Sequence, residues 1–264
     1  MEGSQGLRFA ANISDGFLFS EVNFLQRFKA AKDSGFSGVE CAFPASVTLD
    51  SLASAQKAAG IQHVHLNLPA GDWAAGERGI AANPAKVKEF QESVETGVKY
   101  ANALGCKRVH ALAGVVSEAC DKEQWTRTFV ENLKWAADQL SKEGILLLIE
   151  PISTIPGYFL QHQEQALDIL HKVGHSNLKL QFDIYHAQRM DGNLCDFMSK
   201  NIHSIGHIQI GQVPGRHEPD QSGELNYSHL FSHIKSLGYD GWVGCEYKPA
   251  GDTTLGLKWL PKLQ

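Results

Sequence analysis

Four apolar runs in the second half of this 264-residue chain each end on a side chain that carries oxygen. LLLIE closes at Glu150, LQFD at Asp183, HIQI carries Gln209 near its tip, and GCEY presents Glu246. One such carboxylate commonly caps a helix or meets a lysine. Three carboxylates and an amide oxygen converging in an apolar mouth would repel one another, because like charges held close in low dielectric cannot all stay ionised. A hard divalent ion relieves this. Mg²⁺ and Mn²⁺ favour oxygen ligands in roughly octahedral geometry, so Glu150, Asp183, Gln209 and Glu246 read as a metal-ligand set, with Mg²⁺ the first expectation and Mn²⁺ the second.

Other polar residues fall at similar places. Glu40 closes GVE, His65 and Asn67 lie toward the end of HVHLN, and His110 lies toward the end of RVH. A single histidine here is more often a hydrogen-bonded core residue than a catalyst. His65 is the stronger candidate for a substrate contact, since the polar loop PAGDWAAGERGIAANP follows it and could fold over the site. His186 lies three residues past Asp183, where a loop would face the metal. Arg216 belongs to GQVPGRHEPDQSGELNY, a long loop rich in turn formers and charge, and such loops more often serve function than idle. Phe17, Phe43 and Trp73 fall in loops from which they could wall a pocket, whereas Phe90, Trp125, Phe129 and Trp135 read as outer-shell packing. The five cysteines are scattered in apolar or helical contexts, and no G-x-S-x-G elbow occurs, so nucleophilic catalysis is not expected.

Such a set works only if a scaffold brings the run ends together. Short apolar strands are expected at 8–13, 38–41, 62–68, 108–111, 145–150, 178–182, 204–210 and 242–246. Helical patterns alternate with them at 21–34, 49–59, 84–104, 122–142, 163–173, 194–201 and 227–237. In the first of these, Val22, Leu25 and Phe28 share one face; Pro84 suits the start of the third and Gly105 its stop. Alternating strands and helices imply a parallel sheet covered by helices. Eight units in about 250 residues fit a closed (β/α)8 TIM barrel, an α/β fold of one domain over 1–264, better than an open sheet. The active site of such a barrel lies at the C-terminal strand ends, where the oxygen-bearing residues fall. Neither GxGxxG after the first strand nor GxxxxGK[ST] anywhere supports a nucleotide site. The tail GDTTLGLKWLPKL has an apolar pattern that could pack on the barrel or on a second subunit.

Composition narrows the choices. The chain is 43% hydrophobic and 20% charged, with a net charge of −5, which is ordinary for a globular protein. Without a Lys/Arg block, nucleic acid is not an expected partner. The longest apolar run, 144–149, is far too short for a membrane span, and the N-terminus has no signal-peptide pattern. Five cysteines without a CxxC pair suit a reducing compartment, so a cytoplasmic protein is expected.

The stretches NLPAGDWAAGERGIAANP, IEPISTIPGYFL, QFDIYHAQRMDGNL and IGHIQIGQVPGRHEPDQSGELNY resemble the hydroxypyruvate isomerase family, a branch of the xylose-isomerase-like barrels that also include ketose 3-epimerases. The resemblance spans essentially the whole chain. It implies an isomerase that interconverts hydroxypyruvate and 2-hydroxy-3-oxopropanoate (tartronate semialdehyde) by glutamate-mediated proton transfer through a metal-stabilised enediolate. A small 2-oxo or hydroxy acid is then the expected partner, and barrels of this class lean to homodimers. In the wider superfamily a Glu, Asp, His, Glu set binds the metal; the matching residues are Glu150, Asp183, Gln209 and Glu246, with Gln replacing His as expected of the hydroxypyruvate branch. Glu150 and Glu246 match the proton donor and acceptor positions, and His186 and Arg216 match substrate contacts. An acidic residue that epimerases carry shortly after the first Glu is missing from EPISTIPG, where Pro156 stands. This speaks against action on free six-carbon ketoses.

The competing readings are an isomerase of four-carbon 2-oxo acids, a ketose 3-epimerase, a metal-dependent endonuclease and a barrel without catalysis. The negative charge opposes the endonuclease, and the complete Glu150, Asp183, Glu246 set opposes the last.

Overall fold

A computed structural model describes residues 6–116 and 120–262. Eight strands lie in it: β1 (Arg8–Asn12), β2 (Gly38–Cys41), β3 (Gln62–Asn67), β4 (Arg108–His110), β5 (Leu146–Ile149), β6 (Leu178–Asp183), β7 (Ile205–Ile210) and β8 (Trp242–Cys245). Each pairs in parallel with the next, and β8 closes on β1 through Arg8↔Trp242 to Ala11↔Cys245, giving a closed barrel. The expected architecture is therefore present. Strands such as LLLI are buried along most of their length, as parallel strands covered on both faces must be.

The helices around the barrel are α1 (Phe24–Asp33), α2 (Leu49–Ala59), α3 (Val87–Leu104), α4 (Lys122–Lys142), α5 (Gln163–Val173), α6 (Ile184–Met190), α7 (Leu194–Asn201), α8 (Tyr227–Ser236) and α9 (Thr253–Gly256). Their ends follow side-chain chemistry. The Thr48 hydroxyl accepts from the Ser51 amide at the start of α2, and the Asp121 carboxylate accepts from the Glu123 and Gln124 amides at the start of α4. Gly105 stops α3 in the left-handed conformation at φ 63°. Phe28, Leu52, Phe90, Phe129 and Ile234 are essentially buried between helices and barrel. Each such burial stabilises the fold by roughly 1.5–3 kcal/mol.

Three sequence expectations need correction. α1 begins at Phe24 rather than Glu21, because Glu21 is drawn away to accept from the Thr253 amide and hydroxyl, both at 2.7 Å. Val22 consequently lies outside the helix and is exposed. The pattern over 84–104 is two pieces, a 3₁₀ turn at Pro84–Lys86 and then α3, since Lys86 leaves helical geometry at φ −119°. α6 starts directly at the end of β6 with no loop, its first turn capped by Asp183. The eighth strand also has a cover: α9 and a 3₁₀ helix at Leu257–Lys262, from which Trp259 packs on Phe9 with ring centroids 5.3 Å apart. The described part of the tail thus lies on the barrel, while its Leu263 lies outside the described residues, as does the N-terminal segment 1–5.

The inner wall holds two irregularities. β3 carries one extra residue against β2 (Val39↔His63, then Glu40↔His65), and β7 carries one against β6 (Leu180↔Ile205, then Gln181↔His207). Such bulges re-aim side chains. Below them, toward the strand N-termini, Ala10, Val64 and Trp242 form a small apolar plug. Above them the interior turns polar. Among the described residues no helix is long and apolar enough to cross a membrane.

Candidate active site

At the strand C-termini a cavity of about 760 Å³ opens to solvent. Glu150, Gln209, Glu246, His65, His186 and Arg216 all line it, and Asp183 adjoins them through Arg216. The seven residues singled out in the sequence are therefore together. Phe17, Phe43 and Trp73 wall the cavity, and Arg78 lies over the Trp73 ring at 4.3 Å, so the loop after β3 does sit over the site.

Strand register explains the convergence. Asp183 pairs with Gln209 across β6 and β7, and Gln209 pairs with Gly244 across β7 and β8, two residues before Glu246. Arg216 is held in the left-handed region at φ 54°, by its amide donating to the Gln212 carbonyl at 2.6 Å and its carbonyl accepting from the Lys248 amide at 2.6 Å. Its Nη2 reaches Asp183 Oδ2 at 2.7 Å and Glu246 Oε1 at 3.1 Å, and its Nε donates to the Glu246 carbonyl oxygen. The guanidinium also lies over Tyr185 and Phe17, at 4.8 and 5.2 Å from the ring centres. Nη1 makes no hydrogen bond among the described residues, and Arg216 lines the cavity.

His186 has a defined tautomer. The Ser153 amide donates to its Nδ1 at 3.2 Å, so Nε2 carries the proton and lies 3.5 Å from Asp183 and 3.8 Å from Glu150. Burial pushes its pKa well below the ordinary range, and the nearby Arg216 and Arg189 add to this. Burial likewise lowers His65 well below the usual histidine value and His110 to about 3. The imidazoles of the site are neutral donors and acceptors rather than counter-ions.

The carboxylates move the other way. Burial, followed by the charges of Glu246 and Asp183, raises Glu150 well above the carboxylate range. Burial raises Asp183 despite the opposing Arg216, and brings Glu246 to about 8, again against Arg216. Two buried carboxylates, Glu150 and Asp183, and the partly buried Glu246 face one guanidinium. That shortage of positive charge, with an all-oxygen set from Glu150, Asp183, Gln209 and Glu246, fits a hard divalent ion. Oxygens of Glu150 and Asp183 and a nitrogen of His186 already lie within 4.8 Å of one another.

A second group, Glu40, His65 and His207, is equally close-set one layer deeper. It does not fit a metal. The His65 and His207 rings are stacked 3° from parallel with centres 5.0 Å apart, so their in-plane lone pairs do not meet at one point.

Sequence reading gave Gln181 and His207 no part, and Glu40 only a place at a strand end. Gln181 Nε2 bridges Glu150 Oε2 at 2.9 Å and Gln209 Oε1 at 2.7 Å. Glu40 accepts from Gln209 Nε2 at 2.7 Å, from Asn12 Nδ2 at 3.0 Å and contacts His207 Nε2 at 2.6 Å. A signal was present: Gln181 and His207 each stand two residues before a rim residue, on the same face of an otherwise apolar strand. A buried polar side chain there needs partners, and the rim residues are the nearest.

Comparison with known proteins gives the family and several near-full-length relatives. A family model for the xylose isomerase-like TIM barrel matches residues 28–263. Hydroxypyruvate isomerase of Escherichia coli is 48% identical over 256 residues, covering 96% of this chain and 98% of that protein. The 2-oxo-tetronate isomerase of Cupriavidus necator is 44% identical, covering 96% of this chain and 97% of that protein. A crystal structure of an AP endonuclease, family 2, from Brucella melitensis superposes with a TM-score of 0.94 at 46% identity, covering 98% of this chain and 99% of that one.

Proposed function

The chain belongs to the xylose isomerase-like TIM barrel family, and from that premise we propose that it is a hydroxypyruvate isomerase, interconverting hydroxypyruvate and 2-hydroxy-3-oxopropanoate. The observation that carries the reading is the pair Glu150 and Glu246 at one cavity, with Arg216 bridging Asp183 and Glu246 between them.

The reaction moves a carbonyl from C2 to C3 of a three-carbon acid. A proton must leave C3, an enediolate must form, and a proton must reach C2, while the hydroxyl proton passes from the C3 oxygen to the C2 oxygen. Two carboxyl groups in opposite protonation states suit this exchange. Arg216 lies against Glu246 and opposes the effect of burial, which makes Glu246 the more readily ionised of the two, so it takes the C3 proton. Burial and its two carboxylate neighbours favour the protonated form of Glu150, and in that form it delivers the proton to C2. The free Nη1 of Arg216 and the Nε2–H of His186 hold substrate oxygens, with charge-assisted bonding of the substrate carboxylate to the arginine. His65 closes the cavity floor as a neutral ring.

Glu150, Asp183, Gln209 and Glu246 would hold Mg²⁺ or Mn²⁺, which when bound supplies positive charge to the oxygens on which the enediolate charge develops. The aromatic wall of Phe17, Phe43 and Trp73 limits water access to the same space.

The test is turnover of hydroxypyruvate by purified protein stripped of metal and resupplied with Mg²⁺ or Mn²⁺, with the product followed by a coupled reductase. Turnover that requires the metal and is lost in Glu246→Gln supports the reading. Turnover unchanged by stripping removes the metal from it. The 44% identity to a 2-oxo-tetronate isomerase supports a second substrate, a four-carbon 2-oxo acid, in the same site. A kcat/KM for 2-oxo-tetronate well above that for hydroxypyruvate would reassign the chain to it.

A further inference from the structure

The side-chain amide of Gln209 has two ends of nearly equal size, one a donor and one an acceptor, and only the oxygen can serve as a ligand or an acceptor. Something must choose which end faces the site. In this barrel the choice is traceable. The Ser14 amide donates to Asn12 Oδ1 at 3.1 Å, which turns the Asn12 NH₂ group toward Glu40 Oε1. Glu40 Oε1 is therefore an acceptor, and it takes Gln209 Nε2 at 2.7 Å. Its second oxygen lies 2.6 Å from His207 Nε2, and the residue is wholly buried. With its NH₂ end fixed downward, Gln209 presents Oε1 upward, where it accepts from Gln181 Nε2, and the same nitrogen donates to Glu150 Oε2. Space for this carboxylate exists because β8 has a glycine beside it: a Cβ at Gly244 would collide with both Glu40 oxygens.

We propose that Glu40 is a positioning residue, whose acceptor oxygen sets the direction of the Gln209 amide and, through Gln181, holds Oε2 of Glu150 so that Oε1 remains for the site. The direction of these amides comes from geometry and donor–acceptor type, independently of the isomerase reading; their effect on metal and turnover rests on it.

Three variants test this. Glu40→Met removes the acceptor at similar length. Glu40→Gln keeps an oxygen toward Gln209 and turns its NH₂ to His207, whose ring accepts in the other tautomer. Gln209→Ala is the background in which Glu40 has nothing to orient. The first readout is the side-chain amide resonance of Gln209 in ¹⁵N-labelled protein, identified by its loss in Gln209→Ala; it needs neither metal nor substrate. The second is Mn²⁺ affinity by electron paramagnetic resonance, and the third is the split between kcat and KM.

Glu40→Met should shift the Gln209 resonance, weaken Mn²⁺ about tenfold or more, and lower kcat more than it raises KM, as is typical of lost support behind a ligand. Glu40→Gln should stay near the parent protein in all three. Glu40→Met should add little in the Gln209→Ala background. An unmoved Gln209 resonance in Glu40→Met, or a loss of Mn²⁺ affinity that adds in full to that of Gln209→Ala, overturns the proposal. Should the parent protein neither bind Mn²⁺ nor turn over 2-oxo acids, the function proposed above fails, and the resonance alone decides the role of Glu40. If Glu40→Met does not fold, Gly244→Ala, which displaces the same carboxylate by a methyl group, carries the same measurements and the same outcomes.

Discussion

Around Glu40, one carboxylate meets donors from Asn12, His207 and Gln209; around Glu150, one carboxylate meets two others and must share a single guanidinium with them. The clusters lie in adjacent layers of one barrel and are joined by the amides of Gln209 and Gln181. Both are buried, so desolvation acts on each. Both oxygens of Glu40 are met by groups that the fold itself supplies. The upper cluster is short of positive charge and opens on a cavity, which is the condition for binding something from outside. Burial of charge alone does not mark a site, then. What marks it is burial that the protein leaves uncompensated.

The sharpest way to break this contrast is to remove a carboxylate from the upper cluster. Glu150→Gln and Glu246→Gln are each expected to lower turnover a hundredfold or more, in line with typical acid–base contributions. Near-normal turnover in both single variants would sink the assignment. A smaller effect is expected from Arg216→Met, which removes charge-assisted bonds worth roughly 1.5–3 kcal/mol each. A loss of kcat/KM of about tenfold to a hundredfold should follow, and an unchanged value would show that the guanidinium serves packing only.

The contrast also sets a pH dependence. Glu246 is raised by burial from 4.5 to about 8, so between those values the folded protein holds a proton that the unfolded chain has released. Stability from this group is therefore greatest at low pH and falls as pH rises toward 8. The buried histidines act oppositely but only below 6.5, since His63 and His110 are lowered to about 4 and about 3. From pH 6.5 to 8 the metal-free protein should melt at progressively lower temperature, and added Mn²⁺ should flatten that slope. Calorimetric scans at several pH values, with and without Mn²⁺, check it; a flat metal-free profile would contradict the uncompensated charge. The smallest effect belongs to the apolar shell. Ile234→Val on α8 should cost about 1 kcal/mol in denaturant unfolding and leave kcat and KM for hydroxypyruvate unchanged, which separates packing from the polar layers.

Much of the site was legible because a parallel barrel obeys a simple rule: residues that end successive strands share a rim. Glu150, Asp183, Gln209 and Glu246 needed only strand ends read from apolar runs. His186 and Arg216 came from their nearness to those ends in the chain. Gln181, His207 and the role of Glu40 were not found, because their meaning depends on neighbours about 30 to 170 residues away, as in the contact between Glu40 and His207. The start of α1 was misplaced for the same reason, since Glu21 is held by Thr253 at the far end of the chain.

Periodicity, turn residues and strand-end chemistry are local, and they suffice for eight strands, most of the helices and the oxygen-rich rim. They determined the barrel and the class of chemistry it can host. Direction was decided only in three dimensions: which end of an amide faces the site, which carboxylate is paired and which is left wanting, and where one extra residue in β3 and β7 turns side chains inward. Hydrogen-bond polarity and local dielectric are properties of a surrounding, and a surrounding exists only after the chain has closed.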